Sequence, residues 1–214
     1  MTASDDEGLF RPDREFFLAS SLEVAPRLLG AVLRHETPEG AVGLRISEVE
    51  AYVGEGVDPG SHAFRGRTDR NAVMYGVPGH LYAYFIYGMH VCANVVCSPA
   101  GEASAVLFRA AEVVEGVGLA LERRSGVSAR TIAPRDLARG PARLVVAAGI
   151  RLEENGADLS SPPFSLLLPR IPKPAVTGPR TGVSGAGGGD AYSWRFSVPD
   201  DPTVSPYKRH PKSN

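Results

Sequence analysis

The segment Ser47-Glu-Val-Glu-Ala-Tyr52 alternates polar and apolar side chains. Successive side chains of a β-strand point to opposite faces, so Glu48, Glu50 and Tyr52 are predicted to share one face. Two carboxylates at this spacing repel each other, which tends to raise the pKa of one of them. A carboxylate tuned in this way can serve as a general base toward water. The alternative interpretation is an edge strand whose polar face is solvated.

A second alternating segment, Leu81-Tyr-Ala-Tyr-Phe-Ile-Tyr87, places Tyr82 and Tyr84 on one strand face. Positions 90, 92 and 94 likewise share a face and carry an imidazole, a thiol and an amide. One sheet surface could therefore gather aromatic rings, an amide and a carboxylate, which suits a flat, electron-poor ring stacked between aromatics. The alternative is that the tyrosines only pack against the sheet.

Tyr87-Gly88 is predicted to form the tip of a tight hairpin between these two strands. An aromatic ring on a narrow protrusion has no core to join. Tyr87 is therefore a candidate for a wedge side chain.

Two further motifs are interpreted as non-catalytic. The segment Ser184-Gly-Ala-Gly-Gly-Gly-Asp190 lacks the Gly-Lys-Ser/Thr ending of a phosphate-binding loop, and we predict a flexible surface loop. His90 and Cys92 share a strand face, but Cys97 points to the opposite face, and no second cysteine pair accompanies them. We therefore expect no metal site and no cofactor.

The composition is that of an ordinary globular chain. It has 214 residues, a hydrophobic fraction of 43% and a net charge of −1. No apolar run is long enough to span a membrane, and two cysteines fit a reducing cytoplasm. The charge is uneven: residues 1–60 carry 5 basic and 12 acidic side chains, whereas residues 61–150 carry 10 and 6. A net charge near zero is therefore compatible with one basic face on the protein surface.

The elements that would position these residues are mainly strands. A helix is predicted from an N-cap at Ser21 to Leu29, and further helices over 112–124 and 141–150 with a helical turn at 134–139. Residues 53–80 are predicted to be an irregular loop. The predicted strands cover residues 31–35, 42–52, 80–86, 90–97, 104–110, 164–168 and 192–198.

Because the strands come in hairpins rather than in βαβ alternation, the predicted fold is α+β. We expect a single compact domain with a mostly antiparallel curved sheet, a protruding β-hairpin and flanking helices. Residues 13–207 would form this domain. Residues 1–12 would be a flexible leader, and residues 208–214 a flexible tail.

Five segments then occur in a characteristic order: EVEAY at 48–52, SHAFRGRTDRN at 61–71, GHLYAYFIYGM at 79–89, CAN at 92–94 and VLFRA at 106–110. Together they resemble the bacterial form of the alkyladenine (3-methyladenine, or methylpurine) DNA glycosylase family. The resemblance runs from about Phe16 to Ser205 and includes RGPARL at 139–144 and GPRTGV at 178–183.

The resemblance implies a monofunctional DNA glycosylase. Such an enzyme flips an alkylated or deaminated purine out of duplex DNA and hydrolyses its N-glycosidic bond. Glu50 matches the general base that activates the attacking water, and Arg109 matches a residue that helps to position this water. Tyr87 matches the side chain that intercalates into the vacated stack.

The same resemblance implies the base pocket. Tyr52, His62 and Tyr84 match the groups that sandwich the flipped base. Asn94 matches a residue that disfavours normal guanine, and Val183 matches a small wall residue. The chain departs from the family pattern in the glycine-rich run after Val183, at the far wall of the pocket, where a basic or bulky residue is more common. It also departs at position 90, where an aromatic residue is common.

The implied partner is duplex DNA that contains damaged purines, bound by a monomer in the bacterial cytoplasm and nucleoid. A basic groove around Tyr87 is expected to contact the DNA backbone through Arg65, Arg67, Arg70 and Arg180. The three lysines lie at or beyond position 173, outside the main motif block, so water is the expected nucleophile rather than a lysine amine. The alternatives are a lesion- or RNA-binding module without catalysis and an N-glycoside hydrolase for free nucleosides.

Overall fold

A computed structural model describes residues 8–86, 90–126 and 131–213. Within these residues, antiparallel strands form one sheet in the order β1-β8-β2-β3-β6-β5-β4, to which β7, β9 and β10 add at the side. The strands are β1 Leu9–Phe10, β2 Val32–Thr37, β3 Gly40–Val53, β4 Leu81–Ile86, β5 His90–Val96, β6 Ser104–Glu115, β7 Ala138–Arg139, β8 Phe164–Pro169, β9 Val176–Gly178 and β10 Arg195–Ser197. The predicted α+β, single-domain antiparallel fold is confirmed.

The helices are short, and the buried side chains of the three α-helices belong mainly to one large core. The α-helices are α1 Ser21–Arg27, α2 Val117–Ser125 and α3 Pro141–Ala148; the 3-10 helices are Arg14–Leu18, Asp69–Tyr75, Pro134–Asp136, Leu152–Glu154, Ala186–Gly188 and Asp190–Tyr192. The segment predicted to be irregular, 53–80, thus contains a 3-10 helix. Thr68 and Asn71 cap it, and the Asn71 side chain accepts from Thr68 N at 2.7 Å.

The central pair of long strands, β3 and β6, separates two apolar clusters. Leu81 and Ala83 of β4 belong to the large core that also contains the buried side chains of α3. Tyr82 of β4 belongs instead to a smaller cluster, against which Tyr84 packs. Because side chains alternate along each strand, one sheet face packs against α3 and the opposite face carries the aromatic residues.

Two helix boundaries differ from the predictions. The N-cap of α1 is Ser20, while Ser21 is the first helical residue and donates its hydroxyl to Tyr52 O at 3.0 Å. The strand β6 continues to Glu115, so α2 begins at Val117 rather than at residue 112. Gly116 makes the turn between them at φ +70°, where a Cβ would collide with Ala41 O.

The described residues of the predicted flexible leader and tail both form backbone hydrogen bonds to the rest of the domain. Residues 8–12 include β1, which pairs with β8 at the sheet edge. Residues 208–213 pair with the loop that follows residue 181, where Gly182 N donates to Lys208 O at 3.0 Å. Residues 1–7 and 214 lie outside the described residues. No helix of the described part of the chain is long and apolar enough to cross a membrane.

Candidate active site

The centre of the site is the strand segment that carries Glu48 and Glu50, both with 0% exposure. The alternative of a solvated edge strand is wrong, because β3 is an interior strand that pairs with β2, β6 and β10. A buried carboxylate must be paired or hydrogen-bonded to be tolerated. The two glutamates meet this requirement in different ways.

Glu48 is held by two arginines and a backbone amide. Arg109 Nε donates to Glu48 Oε1 at 3.0 Å, Arg195 Nε donates to the same oxygen at 2.6 Å, and Ser205 N donates to Oε2 at 2.7 Å. Burial opposes ionisation, but the Arg109 charge, the Ser205 hydrogen bond and the Arg195 charge outweigh it and hold the pKa of Glu48 below its ordinary value. The repulsion expected between the two carboxylates therefore does not raise the pKa of Glu48.

Glu50 is oriented through both of its oxygens. Thr181 N donates to Oε1 at 2.7 Å, and Tyr52 Oη donates to Oε2 at 2.8 Å. Arg109 Nη1 approaches Oε2 at a longer 3.4 Å. These donors fix the plane of the Glu50 carboxylate. Because an ionised carboxylate has about four lone-pair sites, Glu50 can still accept a further hydrogen bond.

Arg109 connects the two carboxylates from β6. Its side chain is 8% exposed, and its Nη2 also donates to Ser205 Oγ at 3.3 Å. Burial disfavours the charge, but Glu50 and Glu48 raise the pKa of Arg109 above its ordinary value. The guanidinium therefore stays cationic between its two partners.

An aromatic cavity lies next to this cluster. Tyr52, which donates to Glu50, forms part of its wall. Its walls are Tyr52, Gly60, His62, Met74, Tyr82, Tyr84, Asn94 and Ala105. The volume is about 30 Å³, far below the roughly 300–1,000 Å³ of pockets that hold small-molecule ligands. A purine can enter only if the lining side chains move apart.

The rings in the cavity touch at defined angles. The His62 and Tyr84 centroids lie 4.5 Å apart with planes at 82°, and Tyr82 and Tyr84 lie 5.3 Å apart at 34°. His62 Nδ1 lies 3.1 Å from Tyr82 Oη, a polar contact between the two walls. The structure thus brings the predicted Tyr52, His62 and Tyr84 together and adds Tyr82.

Asn94 and Val183 complete the walls. Asn94 is buried and donates its Nδ2 to Tyr82 O at 2.8 Å, which fixes the amide in the cavity. Val183 lies directly behind Gly60: a Cβ on that glycine would be 2.8 Å from Val183 Cγ1. Asn94 therefore lines the cavity, and Val183 lies behind its wall.

The ionisable groups of the cavity are held neutral. Burial, followed by the Glu50 charge, raises the pKa of Tyr52 well above its ordinary value, and burial does the same for Tyr84. Burial and then the Arg70 charge lower the pKa of His62 below 6.5. At neutral pH these three walls carry no positive charge that would repel a cationic ring.

Arg180 corrects one prediction, because it cannot contact the DNA backbone from its buried position. Both Arg180 and Asp58 have 0% exposure, and they form a bidentate ion pair with two bonds of 2.6 Å. Arg180 also donates to Ala51 O and Gly187 O. Its guanidinium carbon lies 4.5 Å from the Tyr52 ring centroid, so Arg180 supports a wall of the cavity.

The glycine-rich segment is likewise not a flexible surface loop. Gly187 and Gly188 are buried in a 3-10 helix. A Cβ on Gly187 would lie 2.7 Å from Gly60 Cα, and a Cβ on Gly188 would collide with Val183 O. Only glycine allows this loop to pack so closely behind the cavity wall, which explains its composition.

The other predicted DNA contacts, three arginines and Tyr87, stay predictions. Arg65, Arg67 and Arg70 are exposed on the segment before β4, and Arg70 Nη2 donates to Phe85 O at 3.0 Å near the end of that strand. Tyr87, the predicted intercalating residue, lies outside the described residues.

Sequence reasoning missed several groups that shape the site: Asp58, Thr181, Arg195 and Ser205. Thr181 and Arg180 lie in the GPRTGV segment, which the sequence did single out. The partners of Glu48 and Glu50 from residues 181–205 are 131–157 positions away, and no local pattern encodes such contacts. Thr181 Oγ1 is buried without a hydrogen-bond partner among the residues that the structure describes.

The family Methylpurine-DNA glycosylase (MPG) matches residues 15–202, most of the chain. The chain belongs to this family. Family membership makes it a DNA glycosylase, a hydrolase of N-glycosyl bonds. The suspected resemblance is thereby confirmed, and the segments that carried it contain Glu50, Tyr52, His62, Tyr84, Asn94 and Arg109.

Several bacterial relatives are similar over almost their whole length, and each is named "Putative 3-methyladenine DNA glycosylase". The protein of Leifsonia xyli subsp. xyli is 72% identical over 99% of both chains. The protein of Streptomyces avermitilis is 54% identical over 92% of both chains. That of Nocardia farcinica is 47% identical over 88% of both chains. This member of the methylpurine-DNA glycosylase family thus matches its relatives in length as well as in sequence.

Proposed function

We propose that this glycosylase flips alkylated or deaminated purines out of duplex DNA and hydrolyses the N-glycosidic bond with a water activated by Glu50. Its substrate class would include 3-methyladenine, 7-methylguanine, hypoxanthine and ethenoadenine. The observation that carries the proposal is a buried carboxylate, held by Thr181, Tyr52 and Arg109, beside a cavity lined by neutral aromatic rings.

The reaction follows from this arrangement. Water attacks C1′ of the nucleotide, and its proton passes to the Glu50 carboxylate. The C1′–N bond breaks, and its electron pair leaves with the base, so the DNA retains an abasic sugar with a new C1′–OH. The negative charge of Glu50 also stabilises the oxocarbenium-like centre that develops at C1′.

Neutral aromatic walls suit the proposed substrates. A purine alkylated at N3 or N7 carries a positive charge, which makes it a good leaving group and strengthens its attraction to aromatic faces. Stacking contributes about 1–3 kcal/mol per base, and flipping costs a few kcal/mol. We propose that Tyr52, His62 and Tyr84 separate to admit the base and that Tyr87 fills the gap left in the duplex.

The proposed enzyme is monofunctional. A lyase needs an amine nucleophile that forms a Schiff base with C1′. Lys173, Lys208 and Lys212 are all exposed, and none lines the cavity. We further propose that the enzyme acts as a monomer in the bacterial cytoplasm, where its DNA substrate lies.

Base release from defined duplexes tests this function. Oligonucleotides with a single hypoxanthine, ethenoadenine or N3-methyladenine are incubated with the enzyme and then treated with alkali, which cleaves abasic sites. We expect strand cleavage only after alkali and no covalent enzyme–DNA adduct on borohydride treatment. Cleavage without alkali would contradict the monofunctional mechanism.

Two controls separate the alternatives. Binding to lesion duplexes without any base release would indicate a non-catalytic lesion-binding module. Release of hypoxanthine from free inosine at the rate measured on duplex DNA would indicate a nucleoside hydrolase. The retention of Glu50 and Arg109 in one cluster favours an enzyme over the non-catalytic module. The wedge predicted at Tyr87 would serve no purpose on a free nucleoside, which favours the repair enzyme over the nucleoside hydrolase.

A further inference from the structure

The C-terminal segment of residues 207–213, which we call the strap, follows a fixed path along the active-site loop. Gly182 N donates to Lys208 O at 3.0 Å, and Gly185 N donates to Lys212 O at 2.8 Å. Gly185 and Ser213 then form a parallel bridge. The strap is therefore hydrogen-bonded to the loop at two separated points, although the sequence predicted a free tail.

The loop beneath the strap belongs to the site already described. Thr181, one residue before the first contact, donates to Glu50, and Val183, one residue after it, supports the cavity wall at Gly60. At the other end, Ser205 precedes the strap by two residues and donates to Glu48. The strap thus lies along the loop that contacts both Glu50 and the cavity wall.

The charge of the strap is entirely positive. Its sequence, YKRHPKS, contains Lys208, Arg209 and Lys212 and no acidic residue. All three side chains are exposed. Within residues 8–86, 90–126 and 131–213 none of them forms an ion pair, and Arg209 Nε donates only to Ser213 Oγ at 3.1 Å.

We propose that the strap is a second DNA-contact surface that binds backbone phosphates beside the flipped nucleotide. These three exposed cations, unpaired among the described residues, lie along the loop that carries Thr181 and Val183, and they complement a polyanion that must approach this loop to deliver a base. The arginine can bind a phosphate through two donors, whereas the lysines act as point charges. Such contacts position the duplex without reading its sequence. This inference rests on the proposed function, because it assumes a DNA substrate.

The test removes the three positive charges of the strap and leaves its backbone hydrogen bonds to the loop in place. The variant K208Q/R209Q/K212Q is compared with the matched control R143Q/R151Q/R170Q, which removes three exposed arginines from the α3 side and the β8 edge. Affinity for an undamaged duplex and for a lesion duplex is measured over a salt series. The melting temperature of each free protein serves as the folding control.

We expect the strap variant to bind both duplexes at least 10-fold more weakly at 100 mM salt, with the control close to wild type. Each lost phosphate contact should flatten the plot of log K against log salt by about 0.9. Equal affinities and equal salt slopes for the strap variant and wild type would overturn the proposal. The failure of the proposed function would look different: wild type would release no base, while the binding difference on undamaged duplex would remain measurable.

Discussion

Arg109 Nε lies 3.0 Å from Glu48 Oε1, and both side chains are buried between the long strands of the sheet. The same guanidinium reaches Glu50 with its Nη1. One cation therefore bridges two buried carboxylates, the structural Glu48, which also binds Arg195, and Glu50, the proposed base. This relationship makes the stability of the fold and the orientation of the site depend on the same side chain.

Replacing Arg109 by methionine is expected to lower the free energy of unfolding by about 3–5 kcal/mol, because it leaves buried charge without its partner. Urea unfolding measures this loss. The control is Arg45→Met, which breaks an exposed ion pair with Glu112 and should cost at most about 1 kcal/mol. Similar losses in the two variants would show that the buried cluster is not electrostatically coupled.

Stability should also depend on pH through Glu48. The pKa of Glu48 in the folded protein lies below its ordinary value of 4.5, so its contribution is complete above that value. The contribution is lost as the pH falls through the lower, folded-state pKa. Urea unfolding of wild type and Glu48→Gln between pH 7 and pH 3 should give curves that converge at the acid end. A constant difference across this range would contradict the shift.

The close packing of the glycine-rich loop predicts a steric effect. Gly187→Ala should destabilise the fold by about 1–3 kcal/mol, because the new Cβ overlaps the Gly60 backbone. Gly118→Ala in α2 is the control, since a Cβ there meets nothing within 4 Å and should stabilise the helix by about 0.5–1 kcal/mol. Thermal unfolding of both variants checks the opposite signs. A neutral Gly187→Ala would mean that the loop is loosely packed.

The Tyr52 hydroxyl is expected to support catalysis rather than only packing. Tyr52→Phe keeps the ring but removes the 2.8 Å donor to Glu50, so the single-turnover rate of base release should fall about 10-fold with lesion affinity retained. Tyr84→Phe removes a hydroxyl that makes no bond to Glu50 and should have a smaller effect on the rate. Equal rates in the two variants would contradict a specific role of the Tyr52–Glu50 bond.

The sequence predicted those parts of the site that depend on strand periodicity. Alternation alone placed Glu48, Glu50 and Tyr52 on one strand and Tyr82 and Tyr84 on one face. The end of β6 was missed because its pairing partner is Gly43, far away in the sequence, while residues 112–124 also fit a helical pattern.

Long-range packing could not be predicted in the same way. Arg180 carries the positive charge expected of a surface DNA contact. Asp58, which lies 122 positions away in the sequence, nevertheless holds it in the interior. The glycines at 187 and 188 are typical of a flexible surface loop until the backbone of Gly60 and Val183 is placed against them. In both cases the decisive neighbour comes from a distant part of the chain, so local composition suggested the opposite environment.

The central claim is that Glu50 activates the water that releases the base. Single-turnover release of hypoxanthine from a duplex, with enzyme in excess, measures this step directly. We predict that Glu50→Gln slows release by about 10²–10⁴-fold while lesion binding persists, and that Glu55→Gln, which alters an exposed carboxylate bonded to Tyr75, keeps the wild-type rate. Release by Glu50→Gln as fast as wild type would contradict the mechanism.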